Sequence, residues 1–190
     1  PFVHPGLKNV TSVTNVVLKK DVLLHFPYHS FNSVIDLLRE AAIDPDVVSI
    51  KITCYRLADR SKIINTLTNA VRNGKQVTVV LELRARFDEE ANLEYKEELE
   101  DAGVKVLFGV HNMKVHAKIC LIKKRVNNKT THYGFVSTGN LNEKTATVYS
   151  DTCLLTSDRN IMADVNRIFS YLEQPKTRIH LLQQCNTLIV

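Results

Sequence analysis

The middle of this chain alternates between two hydrophobic periods, and that alternation constrains the fold more than any other feature. VVSIKITCY (47–55) sets β-branched residues against polar ones and reads as a strand. Ser61 is placed to cap a helix over Lys62 to Asn73, and Gly74 stops it. QVTVVLEL (76–83) is a second strand. Asp88 caps a helix through about Ala102, with Glu89 and Glu90 in a first turn where the helix dipole favours acids. Gly103 ends that helix, and VKVLFGV (104–110) is a third strand. Strands joined through helices of this length pair in parallel with right-handed crossovers.

The flanks differ. The first 28 residues hold Pro1, Pro5 and Pro27 and a β-rich stretch, Val10 to Leu18, and read as an irregular lead-in with one strand. His29 or Ser30 then precedes FNSVIDLLREAA, whose Phe31, Val34, Ile35, Leu37, Leu38 and Ala42 form a helical stripe. After the third strand, HAKICLIKKRV and THYGFVST surround the turn-prone NNKT as a hairpin, and SDTCLLT adds a strand. A helix over Asp158 to Leu172 follows, with Ile161, Val165, Ile168, Phe169 and Leu172 on one face. The expectation is one α/β domain with a mixed β-sheet flanked by helices. Residues 1–20 read as a lead-in or linker, 21–175 as the domain, and 176–190 as a tail leading onward.

The chain has 190 residues, a length that suits one domain with a real core. Its 44% hydrophobic and 24% charged residues exclude a disordered chain, and no apolar run is long enough for a transmembrane helix. No signal peptide is visible at the N-terminus. The net charge of +5 hints at an anionic partner without specifying one. None of Cys54, Cys120, Cys153 and Cys185 forms a CxxC pair, which argues against a zinc knuckle. Three of them sit in apolar runs, as free thiols in a reducing compartment do.

Lys114-Val115-His116-Ala117-Lys118 is the strongest local signal. On a strand, His116 and Lys118 would share a face. A neighbouring ammonium keeps more of an imidazole neutral and nucleophilic, and Lys118 could pair with a phosphate oxygen. By spacing alone, a polar pair on the solvent face explains the run more readily. Ser137-Thr138-Gly139-Asn140 ends a strand in a turn whose hydroxyls, N–H groups and carboxamide could bind phosphate. Arg56 and Arg86 follow two strand ends, the place where α/β sheets bind ligands and where guanidinium groups can fork onto phosphate. His25 and His29, in HFPYHSF, precede a helix start, and local packing accounts for them.

These runs, taken in order (HFPYHSF, a strand ending in YR, ELRARFDEEAN, KVHAK and STGNLNEKTATVYSD), resemble polyphosphate kinases from about Asp21 to Leu172. The part matched is the first of two C-terminal catalytic domains, each with a phospholipase D-like fold. In that wider superfamily an Asp usually follows the Lys by five residues, and here the position is Lys123. The departure fits the kinase branch.

The resemblance implies that His116 is a phosphohistidine nucleophile that takes the terminal phosphoryl group of ATP and passes it reversibly to polyphosphate. It implies Arg56 and Arg86 as metal- and phosphate-site arginines and Tyr149 as a nucleotide contact. Lys118, Asn140 and Asn142 fall in the motifs as a catalytic lysine and phosphate contacts. It further implies Mg2+, ATP/ADP and polyphosphate, further domains of a larger, homo-oligomeric enzyme, and a cytoplasmic location with membrane association open. No nucleic acid is expected. Alternatives are a phospholipase D-like phosphodiesterase or nuclease acting as a dimer, and a non-catalytic polyanion-binding module.

Overall fold

A computed structural model describes residues 1–55, 58, 61–82, 89–111 and 113–188. Among them, seven strands form one mixed sheet in the order β1-β7-β6-β5-β2-β3-β4. The strands are β1 (Val22–Phe26), β2 (Val47–Cys54), β3 (Gln76–Leu81), β4 (Lys105–Phe108), β5 (Lys118–Val126), β6 (Lys129–Ser137) and β7 (Asp151–Thr156). β2, β3 and β4 pair in parallel, through α3 (Lys62–Arg72) and α4 (Glu89–Asp101). The remaining pairings are antiparallel. The expected α/β domain with a mixed sheet is therefore present.

Local chemistry explains the main boundaries. The Ser61 hydroxyl accepts the Ile63 N–H at 3.2 Å and starts α3, while Gly74, at φ +80°, closes it. β5 and β6 are joined by Asn127 and Asn128, both at positive φ, the conformation that a two-residue hairpin turn needs and that Asn tolerates.

The N-terminal stretch departs from expectation. Val10 to Leu18 contains no strand; Val13–Val17 is a short helix, α1. Tertiary contacts override the β-branched composition. Glu40, on α2 (Asn32–Ile43), accepts the Val13 N–H, the Thr14 N–H and the Ser12 hydroxyl, each at 2.8 Å. The strand in this region is β1, whose partner β7 lies some 130 residues further along the chain.

Two apolar layers cover the sheet. On one face α1, α2, α3 and Leu99 of α4 pack on Leu24, Ile50, Ile52, Val79, Cys120, Ile122 and Phe135. On the other, Met162, Val165, Phe169 and Leu172 of α5 (Arg159–Glu173) pack on Val80, Ile119 and Leu121. Beyond α5 come α6 (Pro175–Arg178) and a 3-10 helix, Ile179–Gln184. The buried Asp164 carboxylate (1% exposed) then holds the tail by accepting the N–H groups of Asn186, Thr187 and Leu188. Cys54, Cys120 and Cys153 are buried free thiols, and burial pushes Cys54 and Cys153 up to about 12. No described helix is long and apolar enough to cross a membrane.

Candidate active site

One rim of the sheet gathers the chemistry. The carboxyl ends of β2, β3 and β4 lie there, and because β5 runs against β2, its first residue lies there too. Antiparallel pairing brings the end of β6 and the start of β7 to the same rim, with Lys118 opposite Ser137 and Ser137 opposite Cys153.

His116 is exposed, but the backbone on both sides of it is pinned. On one side Val115 is buried and donates its N–H to the Glu82 carboxylate at 3.0 Å. Glu82 is itself 4% exposed and receives its place from β3, its N–H bonding to the Cys54 carbonyl at 3.1 Å. On the other side the buried Thr53 hydroxyl donates to the Ala117 carbonyl at 2.6 Å and accepts the Ile119 N–H at 3.0 Å. A β-branched strand residue thus fixes the peptide between His116 and Lys118.

The ladder begins at Lys118, so His116 is not on a strand. The two side chains do not share a strand face as expected, because β2 ends at Cys54 and leaves the preceding segment without a ladder partner. They meet instead at Tyr55. The His116 ring stands edge-on to the Tyr55 ring with centroids 5.0 Å apart, and the Lys118 ammonium lies 5.3 Å from the same ring's centroid. Lys118 is 4% exposed, so a buried cation sits beside an accessible imidazole.

The Ser137–Asn140 turn also differs in its chemistry. The Ser137 hydroxyl lies 3.1 Å from the carbonyls of Gly139 and Thr152 and accepts the Gly139 N–H at 3.2 Å. Thr138 donates its hydroxyl to Asp151 at 2.8 Å and accepts the Thr152 N–H at 3.0 Å. Each hydroxyl has a single proton, and both protons have internal partners. These groups build the turn rather than present donors to an anion. Gly139 is required there, since a Cβ would fall 2.6 Å from the Asp151 carboxyl carbon. The exception in the motif is Asn140, whose Oδ1 is buried without a hydrogen-bond partner among the described residues. The Asn142 oxygen accepts the N–H groups of Lys144 and Thr145, at 3.0 and 3.1 Å. Tyr149 is exposed in the loop before β7.

Arg56 and Arg86 lie outside the described residues. Among the described residues no three His, Cys, Asp or Glu side chains converge as a metal cage. The His25 and Tyr28 rings stack 6.0 Å apart, and His29 packs against Phe2 and His4, so HFPYHSF forms the expected local cluster. Burial, then the neighbouring His4 and His25, hold His29 below its ordinary pKa. Lys123, the position at which the resemblance implies an Asp, lies five residues along β5 from Lys118, roughly 17 Å away along the strand. Sequence reasoning missed Thr53, Tyr55 and Glu82. The available signals were a Glu closing the apolar run QVTVVLEL and a Tyr directly after a strand.

The chain matches the family model described as polyphosphate kinase C-terminal domain 1 over residues 12–178. It belongs to that family. It is 47% identical over 175 residues to the polyphosphate kinase of Vibrio vulnificus strain YJ016, covering 92% of this chain and 25% of that protein. It is 48% identical over 161 residues to the Escherichia coli K12 polyphosphate kinase, covering 85% of this chain and 23% of that one. The chain therefore spans about a quarter of these curated relatives. The crystal structure of Porphyromonas gingivalis polyphosphate kinase superposes with a TM-score of 0.80 at 41% identity, over 91% of this chain and 29% of that one. Nuc, a phospholipase D family member from Salmonella typhimurium, superposes with a TM-score of 0.58 at 16% identity, covering 85% of this chain and 95% of that one. That likeness identifies the fold as phospholipase D-like.

Proposed function

We propose that this chain is the nucleophile-bearing catalytic unit of a polyphosphate kinase. A neutral imidazole nitrogen of His116 attacks the terminal phosphorus of ATP. An N–P bond forms, the bond to the bridging oxygen breaks, and ADP leaves with that oxygen. A terminal oxygen of polyphosphate then attacks the phosphoryl group, the N–P bond breaks, and the chain is one unit longer. The reverse sequence makes ATP.

The observation that carries this reading is the exposed His116 held between two backbone pins, with the buried Lys118 ammonium meeting it at Tyr55. Pinning limits the orientations a nucleophile must lose, and a desolvated cation stabilises charge on the transferring group more than a solvated one does. Asn140, with its unspent carboxamide oxygen, is assigned a contact to the phosphoryl region or its histidine. Arg56 and Arg86 are assigned to the phosphate oxygens, and Tyr149 to the nucleotide.

Mg2+ belongs to the reading as a cation that, when bound, would neutralise charge on the transferring phosphates. Mg2+ usually takes several of its ligands from substrate phosphates and water. Further domains supply the rest of the nucleotide site in a cytoplasmic homo-oligomer, which leaves this unit alone with little turnover.

The test is to incubate the full-length protein with ATP and Mg2+ and measure its intact mass. The reading requires one acid-labile phosphoryl group, absent in His116→Ala and retained on a peptide containing His116. Hydrolysis of a phosphodiester with no gain of phosphate would instead make the protein a phosphodiesterase.

A further inference from the structure

A second feature of the sheet lies away from His116. On the face that α5 partly covers, β4, β3, β2, β5 and β6 present Lys105, Thr78, Lys51, Lys123 and His132 in a row. The register sets Lys105 beside Thr78, Thr78 beside Lys51, and Lys123 beside His132; between the two sets the row steps by two residues, since Lys51 pairs with Leu121 and Lys123 with Ser49. The row floors a cavity of ≈ 560 Å³ walled by Asn166 and Glu173 of α5. A neighbouring cavity of ≈ 650 Å³ shares His132 and Asn166 with it and adds Lys129 and Arg159. The two adjoin at His132 and Asn166 and are together called the groove.

Its described lining holds five fixed cations (Lys51, Lys105, Lys123, Lys129 and Arg159) against a single carboxylate, Glu173. Glu173 is engaged by Lys51 at 2.8 Å and approached by Lys105 at 3.9 Å. Lys123 is half-buried, and no ion pair involves it among the described residues. Burial, and then the neighbouring Lys123, hold His132 below its ordinary pKa. Strand spacing of about 4.8 Å stretches the row from Lys105 to His132 over roughly 19 Å. A ligand matching it is long, linear and multiply anionic.

The described lining offers no Phe, Tyr or Trp on which nucleobases could stack, and that counts against single-stranded nucleic acid. Four of the five cations are lysines, which act as rotatable point charges and grip a repeating anion in many registers. We propose that this groove is a second, non-catalytic binding track for linear inorganic polyphosphate, distinct from the His116 rim. The choice of polyphosphate among linear polyanions rests on the function proposed above.

The experiment is lysine acetylation footprinting of the full-length protein, read by mass spectrometry with and without inorganic polyphosphate. Polyphosphate should slow acetylation of Lys51, Lys123 and Lys129 and leave Lys19 and Lys20 unchanged, while sulfate at equal charge does not. Lys123→Gln combined with Lys129→Gln and Arg159→Gln should weaken polyphosphate binding about tenfold. Lys123→Arg should retain binding, and mass labelling at His116 by ATP should persist in all of these variants. Protection of the groove without labelling at His116 would sink the kinase reading and leave the track standing. Labelling without protection would overturn the track. So would groove lysines that are unreactive before polyphosphate is added, or tighter binding of single-stranded nucleic acid.

Discussion

The parallel half of the sheet, β2 to β4, and the antiparallel half, β5 to β7 with β1, contribute differently to the His116 rim. In the parallel half only strand ends reach that rim, and the described residues they bring, Tyr55 and Glu82, contact the His116 ring and the backbone beside it. In the antiparallel half strand ends and strand starts alternate at one rim. That half delivers His116, Lys118, the Ser137–Asn140 turn and Asp151 from three segments of chain. It also relies on side chains that bond to backbone, as Ser137, Thr138 and Asn142 do. The parallel half relies on apolar strands and capped helices except at its carboxyl ends, where Thr53 and Glu82 bond to the backbone on either side of His116. Directional bonding thus concentrates at the His116 rim in both halves, and apolar burial away from it.

Substitutions in the two halves should separate these modes of support. The largest effect is expected at Gly134 on β6, where a Cβ would lie 2.0 Å from the Cys120 carbonyl oxygen of β5. Gly134→Ala should cost at least about 3 kcal/mol in denaturant unfolding, because backbone must move to admit it. A normal melt would show that the antiparallel half is not rigidly paired. At the seam between the halves, Thr53→Val keeps shape but strands the Ala117 carbonyl and the Ile119 N–H. It should cost about 2 kcal/mol and reduce labelling at His116. In the parallel half, Ser61→Ala removes only a helix cap and should cost about 1 kcal/mol with labelling unchanged. Equal loss of labelling in the last two variants would erase the distinction.

The smallest effect is local and pH-dependent, on α5 behind the antiparallel strands. Burial alone would raise the Asp164 pKa. The N–H groups of Leu188, Thr187 and Asn186 and the Arg167 guanidinium outweigh that and hold it below the ordinary carboxylate value. A depressed folded-state pKa gives stabilisation that is complete above the ordinary Asp value of about 3.9 and lost as pH falls further. Protection of the 186–188 amides against hydrogen exchange should therefore fail on acidification below about pH 4, before the sheet opens. Persistent protection at pH 2 would show that the carboxylate does not hold the tail.

The fold was largely legible where short-range rules decide it. Ser61 and Gly74 bound α3 as expected, and the Asn127-Asn128 pair turns β5 into β6. It was not legible where a distant group decides. Nothing local reveals that Glu40 will collect the amides of Val13 and Thr14 and wind Val13–Val17 into a helix. β1 escaped notice for the same reason, its partner being remote. In the site, the sequence singled out His116 and Lys118, but their relation in the fold is set by the Tyr55 ring and not by strand alternation. The hydroxyls of Ser137 and Thr138 looked available because their acceptors, the Thr152 carbonyl and the Asp151 carboxylate, lie on another strand.

The sheet's ladder starts two residues after His116. The imidazole is therefore attached to the scaffold without bearing any of its load. On the function proposed above, a phosphoryl group carried by the ring would sit on no residue of the ladder, so gaining and losing it would leave the pairing of β5 with β2 and β6 intact.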